Sequence, residues 1–396
     1  MDLLKKIEGV KKHLAEEKID GWLIYDFQGM NPLARDFLEI SSDAHITRRY
    51  FYWIPKEGSP IKIVPFIESH ILDHLPGEKK VFLEWEVLHA ALKEVLQGKK
   101  VVAMEYSSKC ALPYVSKVDA GTIDLVRECG VEVVSSASFL QHYSCVWDDF
   151  MLKSHELAAK VLEDAVDATW SHIAACLKEN ISITEYEVSQ FILGQIHKAG
   201  CIMDGEPICA FNENSANPHY GPSKEGSKVL QKGDLILIDL WCKKKEERSV
   251  YADITRIAVA GKKLPEEIAK VFKIVRLAQK TATDFIQEKL DKKQIVKGFE
   301  ADRACRKVIE DAGFGKYFTH RTGHNIHINA HGPGAHLDSL ETLDDRPLIA
   351  KTCFSIEPGI YLPGKFGIRL EYDVYIKEDG KLVITGGIQE EAATLA

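Results

Sequence analysis

Two aspartates lie in stretches that are otherwise apolar and strand-like. Asp239 ends the run LILID, and Asp253 lies within SVYADITRIAVAG. A buried carboxylate is costly unless it is paired or binds a metal ion. If the charged segment KKKEER is a hairpin loop, the two stretches become adjacent antiparallel strands that bring the aspartates together. The alternative for this pair alone is one surface aspartate and one structural aspartate paired with Arg256.

Four histidines fall within the segment HRTGHNIHINAHG: His320, His324, His327 and His331. Their spacing would align them on one face of a helix. Glycine, asparagine and β-branched isoleucine among them disfavour a helix, and Gly-Pro-Gly follows at once. We therefore predict a strand and a loop that project the imidazoles into a cleft. A single histidine is more often a buried core residue than a ligand, but a cluster of four favours a site.

Two glutamates complete the set of chemically capable residues. Glu357 ends a short apolar strand in CFSIEPGIYLPG, and Glu371 lies in FGIRLEYDVYI. Alternation along the second segment places Arg369, Glu371 and Asp373 on one face. Such a stripe is usually the solvent-exposed face of a sheet, but here Glu371 has other carboxylates and histidines to join.

The combined set is rich in oxygen ligands. Two aspartates, two glutamates and at least one histidine suit divalent ions such as manganese, iron, cobalt or zinc. Four carboxylates exceed the need of one ion, and carboxylates can bridge two ions about 3.5–4 Å apart. The residues therefore predict a two-metal site.

The elements that position these residues fall into two predicted domains, 1–150 and 151–396. In the first, strand-like runs such as GWLIYD and RRYFYWIP alternate with helical patterns, which indicates an α/β domain. No cluster of titratable residues stands out there. The second begins with two helices, for which Ser154 and Ser182 are the predicted N-caps, and Glu185 completes a capping-box spacing with Ser182.

Composition excludes several classes of function. The 396 residues carry a net charge of −8 and no basic stripe, which excludes a nucleic-acid partner. No segment has the features of a signal peptide or the length of a membrane span. Nine cysteines without a CxxC pair are typical of reduced thiols, and they disfavour a zinc–thiolate site. We expect a cytoplasmic protein.

With these residues in place, the chain resembles the pita-bread metallopeptidase family, which includes prolidase, aminopeptidase P, methionine aminopeptidase and creatinase. The resemblance is clearest over 151–396. Residues 1–150 look like the N-terminal domain of the creatinase and prolidase branch. This resemblance implies an α/β fold of two domains, a creatinase-like α/β domain and a pseudo-symmetric pita-bread α+β catalytic domain, and it implies a homodimer.

The resemblance also assigns roles to single residues. The implied metal ligands are Asp239, Asp253, His324, Glu357 and Glu371, of which Asp253 and Glu371 bridge two ions. Glu357 is also expected to shuttle a proton. His219 in NPHY matches a substrate-contacting histidine, and His331 and His320 match two further active-site histidines. The implied cofactors are two divalent ions, Mn²⁺ first, with Co²⁺, Zn²⁺ or Fe²⁺ as alternatives.

Three features depart from the family pattern. KKKEER lengthens the hairpin between Asp239 and Asp253. Asn325 replaces the glycine that usually follows the metal histidine, and Gly332 replaces an acidic residue usual after His331. No ligand is lost, but the last two departures lie where the wall of the substrate pocket is expected.

The function implied by the resemblance is hydrolysis of the Xaa-Pro bond at the N-terminus of short peptides, by a hydroxide bridging two divalent metals. The partner would be a short peptide, with no nucleic acid and no membrane. Alternatives are a metal-dependent lyase or another hydrolase on the same scaffold. A non-catalytic binding module would be expected to have lost ligands, and a methionine aminopeptidase would not need the first 150 residues.

Overall fold

A computed structural model describes residues 3–41 and 43–395. The chain divides between Ser144 and Cys145 into two compact units. Among the described residues, no helix combines the length and apolar character needed to cross a lipid bilayer.

The N-terminal unit is built on one mixed sheet of six strands in the order β4-β3-β2-β1-β5-β6. Its strands are β1 Gly21–Asp26, β2 Tyr50–Pro55, β3 Ile61–Pro65, β4 Glu78–Phe82, β5 Val101–Met104 and β6 Glu132–Ser135. Its helices are α1 Leu3–Glu16, α2 Pro32–Phe37, α3 Trp85–Val95, α4 Ala120–Arg127 and α5 Ala137–Ser144. β1 is buried along its whole length because apolar clusters pack on both of its faces.

A single buried glutamate follows β5 in this unit. Glu105 Oε1 accepts hydrogen bonds from Trp22 Nε1 (2.5 Å) and Ser136 Oγ (3.1 Å), and Oε2 accepts one from Asn31 Nδ2 (2.7 Å). Burial raises the pKa of Glu105 to about 7. Both carboxylate oxygens are thus satisfied by uncharged donors from other elements.

The C-terminal unit surrounds its sheets with long helices. These helices are α6 Asp149–Glu179, α7 Glu185–Lys198, α8 Glu266–Asp291 and α9 Gly298–Asp311. The strands are β7 Cys201–Ile202, β8 Ile208–Phe211, β9 Leu235–Lys244, β10 Ala252–Val259, β11 Asn325–Ile326, β12 Cys353–Ile356, β13 Gly359–Leu362, β14 Phe366–Arg369, β15 Tyr372–Ile376, β16 Leu382–Thr385 and β17 Ala393–Thr394. One sheet has the order β17-β10-β9-β7, with β8 also paired to β9, and a second has the order β11-β12-β15-β16.

The hairpin of β9 and β10 is buried on both faces. Ile236 and Ile238 join a core that includes residues of α6 and α7, whereas Leu235 and Leu237 join a core that includes residues of α8 and α9. Because side chains alternate along a strand, Asp239 continues the face of Leu235 and Leu237. A carboxylate therefore emerges from the strand inside the protein.

The two predicted N-caps of the C-terminal unit are wrong. Helix α6 starts earlier, because the Asp148 side chain accepts a hydrogen bond from Met151 N, and Ser154 lies inside the helix. Helix α7 has its capping box at Thr184 and Glu187, two residues after the predicted pair. Aspartate, serine and threonine all cap helices and recur every few positions here, so that the sequence offers more than one candidate cap.

Candidate metal centre

The first two acidic residues lie on adjacent antiparallel strands, as predicted. In the register of β9 and β10, Asp239 lies opposite Thr255, and Asp253 lies opposite Trp241. Arg256 does not pair with Asp253. Its guanidinium instead donates to the backbone carbonyl oxygens of Thr255 and Glu371. The alternative of a structural Asp253–Arg256 pair is therefore wrong.

The segment carrying His324 is strand and loop, as predicted, and it runs along β12. His324 N donates to Ser355 Oγ (3.0 Å), and Ser355 N donates to His324 O (2.9 Å). This approach requires glycine at the preceding position, since a Cβ on Gly323 would lie 1.9 Å from Ser355 O. The close contact fixes the backbone from which the His324 imidazole projects.

The two glutamates come from the ends of strands. Glu357 directly follows β12, and Ser355 Oγ donates to Glu357 Oε1 (3.1 Å). Glu371 lies in the break between β14 and β15, where Thr255 Oγ1 donates to Glu371 Oε2 (2.7 Å). The polar stripe of this segment is not a solvent-exposed face: the exposures of Arg369, Glu371 and Asp373 are 3%, 2% and 0%.

The acidic residues and His324 converge within the C-terminal unit. Asp253, His324 and Glu371 each offer a ligand atom, and these three atoms lie within 4.8 Å of one another. His324 Nε2 lies 3.8 Å from Asp253 Oδ2 and 3.4 Å from Glu357 Oε1. Asp239 Oδ1 and Asp253 Oδ1 are buried without a hydrogen-bond partner. These two oxygens are therefore available to bind a cation.

Burial and mutual repulsion dominate the electrostatics of the cluster. Burial, with the charges of Glu371 and Asp239, raises the pKa of Asp253 well above its usual range. Burial likewise raises the pKa of Glu371 well above its usual range and that of Glu357 to about 7. The pKa of His324 is held well below its usual range, chiefly by burial, so that the imidazole is neutral and can act as a ligand.

These observations fit divalent cations. Crowded, desolvated carboxylates with unpartnered oxygens and a neutral imidazole are hard or borderline ligands. A cation would replace the protons that the carboxylates otherwise hold, because it removes the repulsion that raises their pKa values. The donor set of this chain is therefore suited to two such ions.

A buried arginine supports the cluster, and its contacts were not predicted from the sequence. Arg369 Nη2 donates to Asp239 Oδ2 (2.6 Å), and Arg369 Nη1 donates to Tyr361 Oη (2.9 Å). Tyr361 Oη in turn lies 2.7 Å from His320 Nε2. Alternation had placed Arg369 on the polar face, but no sequence signal identified its partners.

A cleft of about 520 Å³ opens onto this cluster. His219, His320 and His331 all line it, together with Asp204, Arg321 and Glu341. The His331 ring is 4.2 Å from the ring of His324 in an edge-on arrangement. His327, the remaining member of the histidine segment, is buried and is not among the lining residues.

A larger groove, of about 980 Å³, lies in the N-terminal unit. Its walls are mainly apolar, with Phe66 and Leu83 among them, and it contains none of the predicted site residues. The volume of a cavity therefore does not identify the functional site in this chain. The chemical types of the lining residues identify it.

Comparisons with known proteins agree with this chemistry. The sequence model of metallopeptidase family M24 matches residues 149–378. The Bacillus subtilis protein YkvY, provisionally named a dipeptidase, is 30% identical over 308 residues, which span 76% of this chain and 75% of that protein. The Xaa-Pro dipeptidase of Lactobacillus delbrueckii subsp. lactis is 34% identical over 175 residues, or 44% of this chain and 43% of the relative.

A solved structure extends the likeness over nearly the whole chain. It is the X-prolyl aminopeptidase of Caenorhabditis elegans, described as a cytosolic enzyme with a di-nuclear active site. The match has a TM-score of 0.64 at 16% identity, and it covers 97% of this chain and 62% of that one. The predicted fold class, α/β with two domains of which the C-terminal one is the pita-bread catalytic domain, is confirmed.

Proposed function

We propose that this chain, which belongs to metallopeptidase family M24, hydrolyses the Xaa-Pro bond at the N-terminus of short peptides with two divalent metal ions. The observation that carries the proposal is the convergence of Asp253, His324 and Glu371, whose ligand atoms lie within 4.8 Å of one another. The similarity to a curated Xaa-Pro dipeptidase supports the substrate class.

The proposed ligands are Asp239, Asp253, His324, Glu357 and Glu371. Bound there, two divalent ions would lower the pKa of water and polarise the scissile carbonyl. We propose Mn²⁺ as the native ion because four of the five ligands are carboxylates. The homodimer implied by the resemblance and the cytoplasmic location expected from the composition stay predictions.

The protein supplies the proton transfers and the hydrogen bonds. Glu357 is buried at the cluster and lines the cleft, and we assign it to accept a proton from the attacking water and to pass that proton to the leaving nitrogen. His219 and His331 line the cleft, which supports the role we assign to them, donation of hydrogen bonds to the oxyanion that forms from the carbonyl. His320 also lines the cleft, and its Nε2 lies 2.7 Å from Tyr361 Oη, which accepts a hydrogen bond from Arg369.

Proline suits a site of this kind. A bond to proline is a tertiary amide that has no N–H, so a peptidase that binds its substrate as an added strand loses a hydrogen bond there. A site that binds the scissile carbonyl between cations and imidazoles does not need that N–H.

The test compares turnover of Xaa-Pro dipeptides, Xaa-Pro-Yaa tripeptides and matched Xaa-Ala peptides by protein reconstituted with manganese. We expect a strong preference for the proline substrates and no turnover after chelation. Equal rates for proline and alanine would contradict the specificity while leaving metal-dependent hydrolysis intact. Full activity in metal-stripped protein would contradict the whole proposal.

A further inference from the structure

Asn325, the residue directly after His324, is tied to two other segments by its side chain. The side chain is buried, with 1% exposure for the residue. Its Nδ2 donates to Cys353 O (2.9 Å), and its Oδ1 accepts from Gly334 N (3.0 Å). Both ends of the amide are therefore used, one on strand β12 and one on the loop that follows His331.

That loop, Gly332-Pro333-Gly334, packs directly against the amide. A Cβ at Gly334 would lie 2.7, 2.8 and 2.9 Å from Asn325 Cγ, Nδ2 and Oδ1. A Cβ at Gly332 would lie 2.3 Å from Asn325 Oδ1. The two departures noted in the sequence, Asn325 and Gly332, therefore pack against each other. Because asparagine is larger than the glycine usual at position 325, the facing loop has room only for glycine at 332 and 334.

Backbone atoms of Asn325 also form hydrogen bonds with the loop and with His336, which follows it. Gly332 N donates to Asn325 O (2.7 Å), and Asn325 N donates to His336 Nδ1 (3.0 Å). His336 N donates to Asp344 Oδ2 (2.8 Å). A turn that contains two glycines has little conformational preference of its own, so its shape is set by these outside contacts.

We propose that Asn325 is a positioning residue for His331. By holding the glycine turn that begins immediately after His331, the Asn325 amide fixes the direction in which the exposed imidazole enters the cleft. This inference rests on the proposed function, in which His331 donates a hydrogen bond to the oxyanion. Displacement of such a donor by about 1 Å can cost about a hundred-fold in rate.

The first test is a double-mutant cycle of Asn325→Ala and His331→Ala, measured as kcat and KM with metal content assayed in each variant. We expect Asn325→Ala to lower kcat by about ten- to a hundred-fold with both metals retained and KM little changed. In the His331→Ala background the same change should have little further effect on kcat. Losses that multiply in the double variant would overturn the positioning role, because they would mean that Asn325 acts independently of His331.

The second test needs no turnover and examines the interlock itself. Gly334→Ala should lower the thermal midpoint in the presence of Asn325 and be tolerated next to Asn325→Ala, which removes the contacting atoms. Gly221→Ala is the matched control, since that glycine also lies outside the helices and strands and a Cβ there meets nothing within 4 Å. Equal destabilisation by Gly334→Ala in both backgrounds would contradict the inference. If the wild-type protein turns over no Xaa-Pro peptide, the proposed function is contradicted, but the thermal-midpoint test of the interlock is not affected.

Discussion

Both units of this protein bury carboxylates at the ends of apolar strands, but they satisfy them differently. Glu105 in the N-terminal unit accepts hydrogen bonds on both oxygens from neutral donors. In the C-terminal unit, Asp253 and Glu371 lie close together, and Asp253 Oδ1 has no partner. The pKa of Glu105 is raised chiefly by its own burial, whereas neighbouring negative charges add to burial at Asp253.

The contrast shows that burial alone does not identify a metal site. The local sequences VVAME and LILID are alike, since each is an apolar strand that ends in an acidic residue. What differs is the partner that the fold brings from elsewhere: an indole, an amide and a hydroxyl in one unit, and further carboxylates in the other. A carboxylate whose oxygens accept from uncharged donors needs no cation, whereas crowded carboxylates with unpartnered oxygens need a proton or a cation.

The largest expected effect is from Glu371→Ala. Loss of a proposed bridging ligand should remove at least one metal equivalent and lower turnover by about a thousand-fold or more, since a bound metal contributes several kcal/mol of transition-state stabilisation. Elemental analysis and kcat are measured together. Glu105→Gln is the matched control, and we expect it to keep its metals and its turnover. Loss of metal from Glu105→Gln, or full metal content in Glu371→Ala, would contradict the claim that only Glu371 of these two carboxylates binds metal.

A smaller effect is expected from His219→Ala. This histidine is exposed at the cleft and is assigned to the substrate, so its loss should cost about a hundred- to a thousand-fold in kcat through one missing oxyanion donor. The metal content should be unchanged. A loss of metal that parallels the loss of activity would instead make His219 a ligand and enlarge the metal cluster.

The smallest expected effect concerns stability and pH. In the metal-free protein the pKa of Glu357, about 7, lies above its usual 4.5, so the folded state holds a proton that the unfolded chain has lost. Stability of the metal-free protein should therefore fall as pH rises from about 4.5 to 7. A bound metal displaces that proton and removes this dependence.

The measurement is the thermal midpoint with and without manganese at pH 5 and pH 7.5. We expect the gain on adding metal to be larger at pH 7.5, by roughly 2–4 °C for each kcal/mol regained. Glu105 has a similarly raised pKa, but no metal binds there, so its contribution should cancel in the difference. A gain that is the same at both pH values would contradict the assignment of Glu357, Asp253 and Glu371, whose pKa values are all raised, to the metal cluster.

Much of the fold and the inventory of the site followed from local patterns. The apolar run LILID and the charged segment KKKEER correctly predicted the hairpin that brings Asp239 and Asp253 together, although Lys243 and Lys244 belong to strand β9 and not to the loop. Glycine and asparagine between His320 and His331 correctly excluded a helix. These features could be predicted because residue type and spacing act over a few positions.

The features of the site that sequence did not reveal all depend on tertiary contacts. Arg369 bonds to Asp239 across 130 positions, and nothing near either residue indicates the pairing. The stripe of Arg369, Glu371 and Asp373 has the spacing of a solvent-exposed face, and only the packing of other strands shows that it is buried. Asn325 stands out in sequence as a departure, but its contact with Gly334 exists only because the loop folds back against it.

Glu371 lies in the break between β14 and β15, strands that belong to different sheets, and it bonds to Thr255 of β10, 116 positions earlier. Contacts between residues so far apart in sequence form late and slowly, because a long loop must close first. The complete set of ligands therefore does not exist until the sheets have assembled. We therefore expect metal ions to stabilise this unit only after it has reached its native topology, because the proposed ligands come together only there.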